Sequence, residues 1–168
     1  MMSNTPQRRA IVTGGSGDLG GAICRRLAAD GAHVIVHANG NLARAEALRD
    51  EIIANGCAAE AVAFDVADGD ATRAALGVLL EHGPIQIVVN NAGIHDDAPL
   101  AGMRQAQWRN VIDVSLHGFF NVTQPLLLPM ARTRWGRIVS VSSVAAVPGN
   151  RGQSNYAAAK AALHGASR

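Results

Sequence analysis

The stretch Ile11–Ile23, IVTGGSGDLGGAI, places glycines 14, 17 and 20 between an apolar run and an alanine-rich segment. A tight turn there lets backbone N–H groups at the start of the following helix face a phosphate, because the helix dipole favours negative charge. The turn lies between the first strand and the first helix, which is the context in which such a glycine pattern binds a dinucleotide. A purely structural glycine turn is the alternative.

Outward from this turn, apolar runs alternate with longer amphipathic segments. The pattern predicts strands at 8–13, 33–37, 59–66, 85–90 and 136–143, and helices at 19–30, 41–55, 68–82, 105–132 and from about 153. Strands that are apolar on both faces and separated by helices indicate a parallel sheet covered on both sides. We therefore expect one doubly wound, Rossmann-type α/β domain over residues 1–168. Such folds usually have six or more strands, so the last strands are expected to be missing.

The composition excludes several classes of function. Hydrophobic residues make up 48% of the chain and charged residues 17%, and the net charge is only +2, with no basic stripe to bind nucleic acid. The cysteines and histidines lack the spacing of metal ligands, so no metal site is predicted. The N-terminus has no apolar signal region, and no apolar run approaches the ~20 residues of a membrane span, so we expect a cytoplasmic protein.

The segment that ends the second strand, VHANGN at 36–41, bears on the choice of nucleotide. An acidic residue there would bind the adenosine ribose and repel a 2′-phosphate. The absence of a carboxylate favours NADP over NAD, although the segment offers no arginine to hold the phosphate. Asp65 and Val66, after the third strand, lie where an adenine ring would bind; Asp65 is equally compatible with an ordinary strand end.

The helix predicted from about 153 carries Tyr156 and Lys160 on one face, because residues four apart project together. An adjacent ammonium stabilises the phenolate, so the phenol is suited to donate a proton to a carbonyl oxygen as hydride arrives. Ser143 is predicted to end the fifth strand, where its hydroxyl would orient the same oxygen. The NNAG segment, 90–93, ends the fourth strand at the same edge of the sheet.

Together, T-G-x-x-x-x-x-G at 13–20, N-N-A-G at 90–93, Ser143 and Y-x-x-x-K at 156–160 resemble the short-chain dehydrogenase/reductase family. The chain looks most like the 3-oxoacyl-[acyl-carrier-protein] reductase branch, from about Arg8 to Arg168. The resemblance implies Ser143, Tyr156 and Lys160 as catalytic residues, with Tyr156 and Lys160 also at the cofactor. It further implies these cofactor positions: Gly14, Gly15, Ser16, Gly17, Gly20, Asn39, Asp65, Val66, Asn91, Ala92 and Gly93.

Three departures from the family pattern stand out. Asp18 replaces a glycine of the compact members, and we expect its carboxylate to face solvent; Gly17 stands where NADP-using members often carry arginine, which weakens the NADP prediction. Ser115 stands where the family's fourth catalytic residue is an asparagine, and is kept as a candidate catalytic residue. The family's later strands and substrate-covering helices are missing, which indicates a truncated or incomplete reductase.

The resulting functional hypothesis is an NADPH-dependent reductase of fatty acid biosynthesis that acts on a 3-oxoacyl thioester carried by a carrier protein. One alternative is a dehydrogenase of another secondary alcohol, such as a sugar or a steroid, or of another small carbonyl substrate. The other is a nucleotide-binding chain without turnover. The family resemblance also implies a homo-oligomer for the full-length protein.

Overall fold

A computed structural model describes residues 7–168 of the chain. Its centre is a five-stranded, all-parallel sheet with the strand order β3-β2-β1-β4-β5. The strands are β1 (Arg9–Val12), β2 (His33–Ala38), β3 (Ala59–Ala63), β4 (Ile87–Asn90) and β5 (Arg137–Ser140). The order reverses between β1 and β4, and this confirms the predicted doubly wound α/β fold.

Helices connect every pair of consecutive strands, as parallel strands require. They are α1 (Asp18–Ala29), α2 (Leu42–Ala54), α3 (Gly69–Glu81), α4 (Gln105–Ile112), α5 (Gly118–Arg132) and α6 (Ser154–Ala166). Short 3-10 helices lie at Leu100–Gly102 and Val144–Ala146. Helix α6 packs against α4 and against the second of these 3-10 helices.

The core lies on both faces of the sheet because side chains of a strand alternate between the faces. Ala10 and Val12 of β1 point to the face covered by α1 and α2. Ile11, between them, points to the face covered by α3 and α5, where it is fully buried. Both layers therefore meet at β1, the strand that leads into the glycine turn.

Two predicted strands end three residues earlier than expected. Residues 64–66 and 141–143 were predicted to continue β3 and β5, but these strands end at Ala63 and Ser140. The neighbouring strands β2 and β4 stop at Ala38 and Asn90, so the residues beyond have at most one further backbone hydrogen bond and no continuing ladder partner. The chain is free to turn there, which brings residues 65–66 and 143 to the sheet edge as loop residues.

The segment 105–132 was predicted as one helix and is continuous, but its middle is not α-helical. Residues Asp113–His117 form a π-helical turn between α4 and α5. Such turns insert one extra residue into the helix and often occur at functional sites. Ser115 lies in this turn and is 3% exposed.

Candidate active site

The glycine turn after β1 is held entirely by hydrogen bonds within the protein. Gly14 adopts a positive φ of 63°, a conformation that glycine accepts without steric cost. Its N–H donates to Nδ1 of His37 at 3.0 Å. The N–H groups of residues 15, 16 and 17 donate to the carbonyl oxygens of Val12, His37 and Gly14, at 3.1, 3.2 and 3.1 Å. The four N–H groups of residues 14–17 are therefore used to shape the turn.

Helix α1 begins directly after this turn. Within residues 7–168, the N–H groups of Asp18, Leu19 and Gly20 form no hydrogen bond with an acceptor of the protein. A Cβ on Gly20 would overlap the carbonyl oxygen of Gly14, so only glycine lets the helix start this close to the turn. The groups available to an anion are thus those of the first helical turn.

Beside the turn, hydrogen bonds link the residues that follow β1 to those that follow β4. The amide of Asn91 donates to the carbonyl oxygens of Thr13 and Gly14, at 2.9 and 3.3 Å. The backbone N–H groups of Asn91 and Ala92 both donate to Oγ1 of Thr13 at 3.0 Å. Asn91 therefore braces the two neighbouring strands.

The other predicted cofactor positions lie along the same edge of the sheet. Asn39 is exposed just past the end of β2. Asp65 is exposed after β3, and its carboxylate accepts the N–H of Ala67 at 2.9 Å. Val66 is 4% exposed and packs in the core, and its carbonyl oxygen accepts from Asn121 at 2.9 Å. The structure therefore leaves Asp65, and not the Val66 side chain, at the surface.

An arginine that the sequence did not point to lies beside the start of α1. The carboxylate of Asp18 is fully exposed, as predicted, and accepts from the Arg44 guanidinium at 3.3 Å. Arg44 and Asp18 line a pocket of about 240 Å³ together with Ser16 and Gly17. Arg25 shares this pocket, but both of its contacts go to Glu51, at 2.6 and 2.7 Å. The segment at 36–41 contains no arginine, but helix α2 places Arg44 at this pocket.

The catalytic corner, defined here by Gly93, Ser115, Tyr156 and Lys160, lies at the other end of this edge. Tyr156 and Lys160 are the only tyrosine and the only lysine of the sequence. Lys160 is 3% exposed, and its Nζ donates to the carbonyl oxygen of Val141 at 2.8 Å and lies 5.8 Å from the centre of the Tyr156 ring. Burial lowers the pKa of Lys160 from its ordinary value, because desolvation disfavours the ammonium.

Within the catalytic corner, the side chains of Lys160 and Ser115 both lie close to Gly93. A Cβ on Gly93 would lie 3.2 Å from Nζ of Lys160 and 3.6 Å from Oγ of Ser115. The Ser115 hydroxyl is buried and has no hydrogen-bond partner among residues 7–168. A buried hydroxyl without a partner is rare, so this one has capacity for a water molecule or a ligand group. The structure thus brings Ser115 to Lys160, which the sequence pattern alone left open.

Ser143 lies in the loop after β5, three residues beyond the strand end. It caps the 3-10 helix Val144–Ala146, and its Oγ accepts the N–H of Ala145 at 3.2 Å. This short helix packs against α6, which carries Tyr156. The hydroxyl proton of Ser143 has no acceptor among the described residues and remains available to a further oxygen.

Asn155, which the sequence analysis did not single out, fixes the start of α6. It is fully buried, and its amide donates to the carbonyl oxygens of Asp96 and Gln107, each at 3.0 Å. The loop after Gly93 and helix α4 are thereby tied to the residue that precedes Tyr156. No pattern in the sequence distinguishes this asparagine from a solvent-exposed one, because its partners are backbone atoms 48 and 59 residues away.

These observations fit a nicotinamide dinucleotide lying along the edge from α1 to α6. Free N–H groups at the start of α1 suit a pyrophosphate, and glycines at 14, 20 and 93 keep the edge clear of side chains. Within residues 7–168, no three His, Cys, Asp or Glu side chains come together to hold a metal ion. In the same part of the chain, every helix is too short or too polar to cross a membrane.

Comparison with known proteins decides the family. The family model described as short chain dehydrogenase matches residues 8–168. The chain belongs to the short-chain dehydrogenase family. Among curated relatives, an acetoacetyl-CoA reductase of Cupriavidus necator is 44% identical over 160 residues, which are 95% of this chain and 65% of that protein. A 3-oxoacyl-[acyl-carrier-protein] reductase of Staphylococcus aureus is 40% identical over 159 residues, 94% of this chain and 65% of that protein.

A solved dehydrogenase structure has the same fold. The gluconate 5-dehydrogenase of Burkholderia cenocepacia, in complex with NADP and tartrate, superimposes with a TM-score of 0.90 at 33% identity, covering 95% of this chain and 62% of that one. This chain therefore spans about two thirds of the length of the proteins it matches. By their names, these proteins act on different kinds of substrate: acyl thioesters in two cases and gluconate in the third.

Proposed function

We propose that this chain carries the nucleotide-binding and catalytic part of an NADPH-dependent reductase of 3-oxoacyl thioesters. The observation that carries the proposal is the catalytic corner, in which Lys160 and Ser115 lie beside Gly93 and the Lys160 ammonium lies 5.8 Å from the centre of the Tyr156 ring. The similarity to an acetoacetyl-CoA reductase and to a 3-oxoacyl-[acyl-carrier-protein] reductase supports a thioester on a carrier protein or on coenzyme A. A role in fatty acid biosynthesis and assembly into a homo-oligomer belong to the same proposal.

The first turn of α1 would hold the pyrophosphate, and Asn39, Asp65 and Asn91 would line the nucleotide. Arg44 supports NADP over NAD. A guanidinium binds phosphate well, and the Arg44 side chain lines the same pocket as Ser16 and Gly17. Its single exposed contact with Asp18 is weak and can be exchanged for a phosphate. A bound nicotinamide nucleotide supplies the hydride for the carbonyl carbon.

The residues of this chain would handle the proton and the orientation of the substrate. Tyr156 donates its phenolic proton to the carbonyl oxygen, and Ser143 donates a hydrogen bond to the same oxygen to orient it. Lys160 stabilises the phenolate left behind, since its ammonium lies near the Tyr156 ring and is fixed by the Val141 carbonyl. Ser115 would hold a water molecule that links Lys160 to solvent, so that a proton from solvent would reach the phenolate by way of this water and Lys160.

The test is NADPH oxidation followed by absorbance, with acetoacetyl-CoA and with an acetoacetyl carrier protein as substrates. We expect oxidation with a thioester, and a rate about 10²–10⁴ times lower for Tyr156→Phe, with NADPH binding retained. His95→Phe is the matched control, because His95 is exposed and its ring lies 6.5 Å from that of Tyr156 without contacting Lys160. Nucleotide binding with no oxidation of either thioester would contradict the proposal.

The second candidate is a dehydrogenase of a polyol or sugar acid, which the gluconate 5-dehydrogenase neighbour favours. The same nucleotide edge and the same proton donor would serve it, because only the substrate contacts differ. NADP reduction by gluconate, measured alongside the thioester assay, separates the two. Activity with gluconate and none with thioesters would replace the first candidate by the second.

A further inference from the structure

We propose that His37 is a positioning residue for nucleotide binding: its neutral imidazole holds the glycine turn in the shape that presents the start of α1. The inference rests on the proposed function, since it concerns how this chain would bind a nucleotide. His37 belongs to β2, follows an unbroken run of buried apolar residues and is itself only 1% exposed. Neither the glycine pattern nor the proton-transfer residues include it.

His37 contacts the turn at two points. Its ring Nδ1 accepts the N–H of Gly14 at 3.0 Å, and its backbone carbonyl oxygen accepts the N–H of Ser16 at 3.2 Å. Its ring Nε2 lies 2.9 Å from the carbonyl oxygen of Phe64, just past the end of β3. One side chain therefore links the turn after β1 with the ends of β2 and β3.

These contacts fix both the charge and the tautomer of the ring. A backbone N–H can only donate and a carbonyl oxygen can only accept, so Nδ1 must be unprotonated and Nε2 must carry the proton. The imidazolium form would place a proton on Nδ1, facing the Gly14 N–H. The neutral Nε2–H form is the single state of the ring that satisfies both neighbours.

The surroundings favour this neutral form. Burial lowers the pKa of His37 to about 4, although the Phe64 carbonyl and the charge of Asp65 act in the opposite direction. The Phe64 ring packs against the imidazole with its centre 4.3 Å away. Cys24, which reaches the other side of the turn at Gly15, also stays neutral at ordinary pH, because burial raises the pKa of its thiol to about 12.

The imidazole ring of His37 provides the acceptor for the Gly14 N–H. The Gly14 N–H donates to the imidazole of β2, and no carbonyl group of its own turn accepts it. Without the imidazole this part-buried N–H would lose its partner within the described residues, and the turn would have to shift to satisfy it. Because α1 starts at Asp18, such a shift would move the N–H groups that face the pyrophosphate.

The experiment titrates NADPH and NADH into the chain, by fluorescence, for three variants. His37→Leu removes both ring contacts, whereas His37→Gln keeps an acceptor and a donor in a side chain that carries no charge. Ile35→Ala is the matched control. Ile35 is fully buried on the same face of β2, and it packs in the core cluster that contains Phe64. We expect the dissociation constant to rise about tenfold in His37→Leu and to be largely restored in His37→Gln.

A second readout does not depend on nucleotide. Nitrogen NMR should show the neutral Nε2–H tautomer of His37 at neutral pH, and hydrogen exchange at the Gly14 amide should speed up in His37→Leu but not in Ile35→Ala. Unchanged nucleotide binding in His37→Leu, or an equal loss in Ile35→Ala, would overturn the inference and leave the proposed function standing. A wild-type chain that binds neither nucleotide would overturn the proposed function, and the positioning role with it.

Discussion

The two ends of the nucleotide edge are built differently. In the glycine turn, the backbone N–H groups of residues 14–17 all have acceptors inside the protein. In the catalytic corner, the buried hydroxyl of Ser115 has none within residues 7–168. The difference indicates that the turn is a preformed scaffold, while the corner keeps hydrogen-bonding capacity for molecules that bind there.

The most severe way to break the scaffold is Gly20→Ala, because the new Cβ would overlap the Gly14 carbonyl oxygen. We expect a loss of about 4 kcal/mol of unfolding free energy, together with the loss of nucleotide binding. Gly21→Ala is the control, since its Cβ would meet the flexible end of Arg25 at 3.2 Å. Urea unfolding and NADPH titration measure both effects. Wild-type nucleotide affinity in Gly20→Ala would show that the turn is not the scaffold described here.

Acid pH should loosen the same scaffold through His37. Burial lowers its pKa from 6.5 to about 4, so between these values the unfolded chain binds the proton and the folded chain does not. Stability contributed by neutral His37 is therefore complete above pH ~6.5 and is lost as the pH falls to ~4, by about 3 kcal/mol in total. His37→Gln should lack this component. Identical pH profiles of unfolding free energy for the two proteins would rule it out.

Arg44 tests nucleotide binding separately from the shape of the turn, because its side chain lies in the pocket beside the turn and takes part in none of the turn's own hydrogen bonds. Arg44→Ala should weaken NADPH binding about tenfold and leave NADH binding nearly unchanged, since the contact proposed for Arg44 is a charge-assisted bond to the 2′-phosphate, which NADH lacks. Asp18→Asn should strengthen NADPH binding slightly, because it frees Arg44 of its present partner. Equal losses for both nucleotides in Arg44→Ala would argue against the 2′-phosphate contact.

The smallest expected effect is at Ser115 in the catalytic corner. Ser115→Ala removes the unpartnered hydroxyl and should lower kcat about fivefold, with KM little changed, because roughly 1 kcal/mol of hydrogen bonding to a water is lost. Ser115→Asn tests whether a longer amide serves the same water. Steady-state kinetics with the thioester substrate gives both constants. A faster Ser115→Ala variant would exclude a proton-returning role for this hydroxyl.

The sequence predicted the features that repeat along the chain. Alternation of apolar strands with helices was sufficient for the five-stranded fold, and the four-residue spacing of Tyr156 and Lys160 was sufficient to place them on one face of α6. These patterns depend on local periodicity, which tertiary packing reinforces.

The residues that the sequence did not reveal act over long distances. Arg44 pairs with Asp18 across 26 positions, and His37 reaches Gly14 across 23. Nothing near His37 distinguishes it from an ordinary strand residue, because its partners are backbone groups. The π-helical turn that brings Ser115 to Lys160 likewise leaves no mark in the apolar periodicity.

The most direct test uses the fact that Lys160 is the only lysine of the chain. In protein labelled at lysine, one NMR signal reports on the catalytic corner alone. As NADPH is added, the account predicts a saturable shift of this signal with the dissociation constant that fluorescence gives. NADPH that binds to saturation while the Lys160 signal stays still would place the nicotinamide away from the corner and contradict the account.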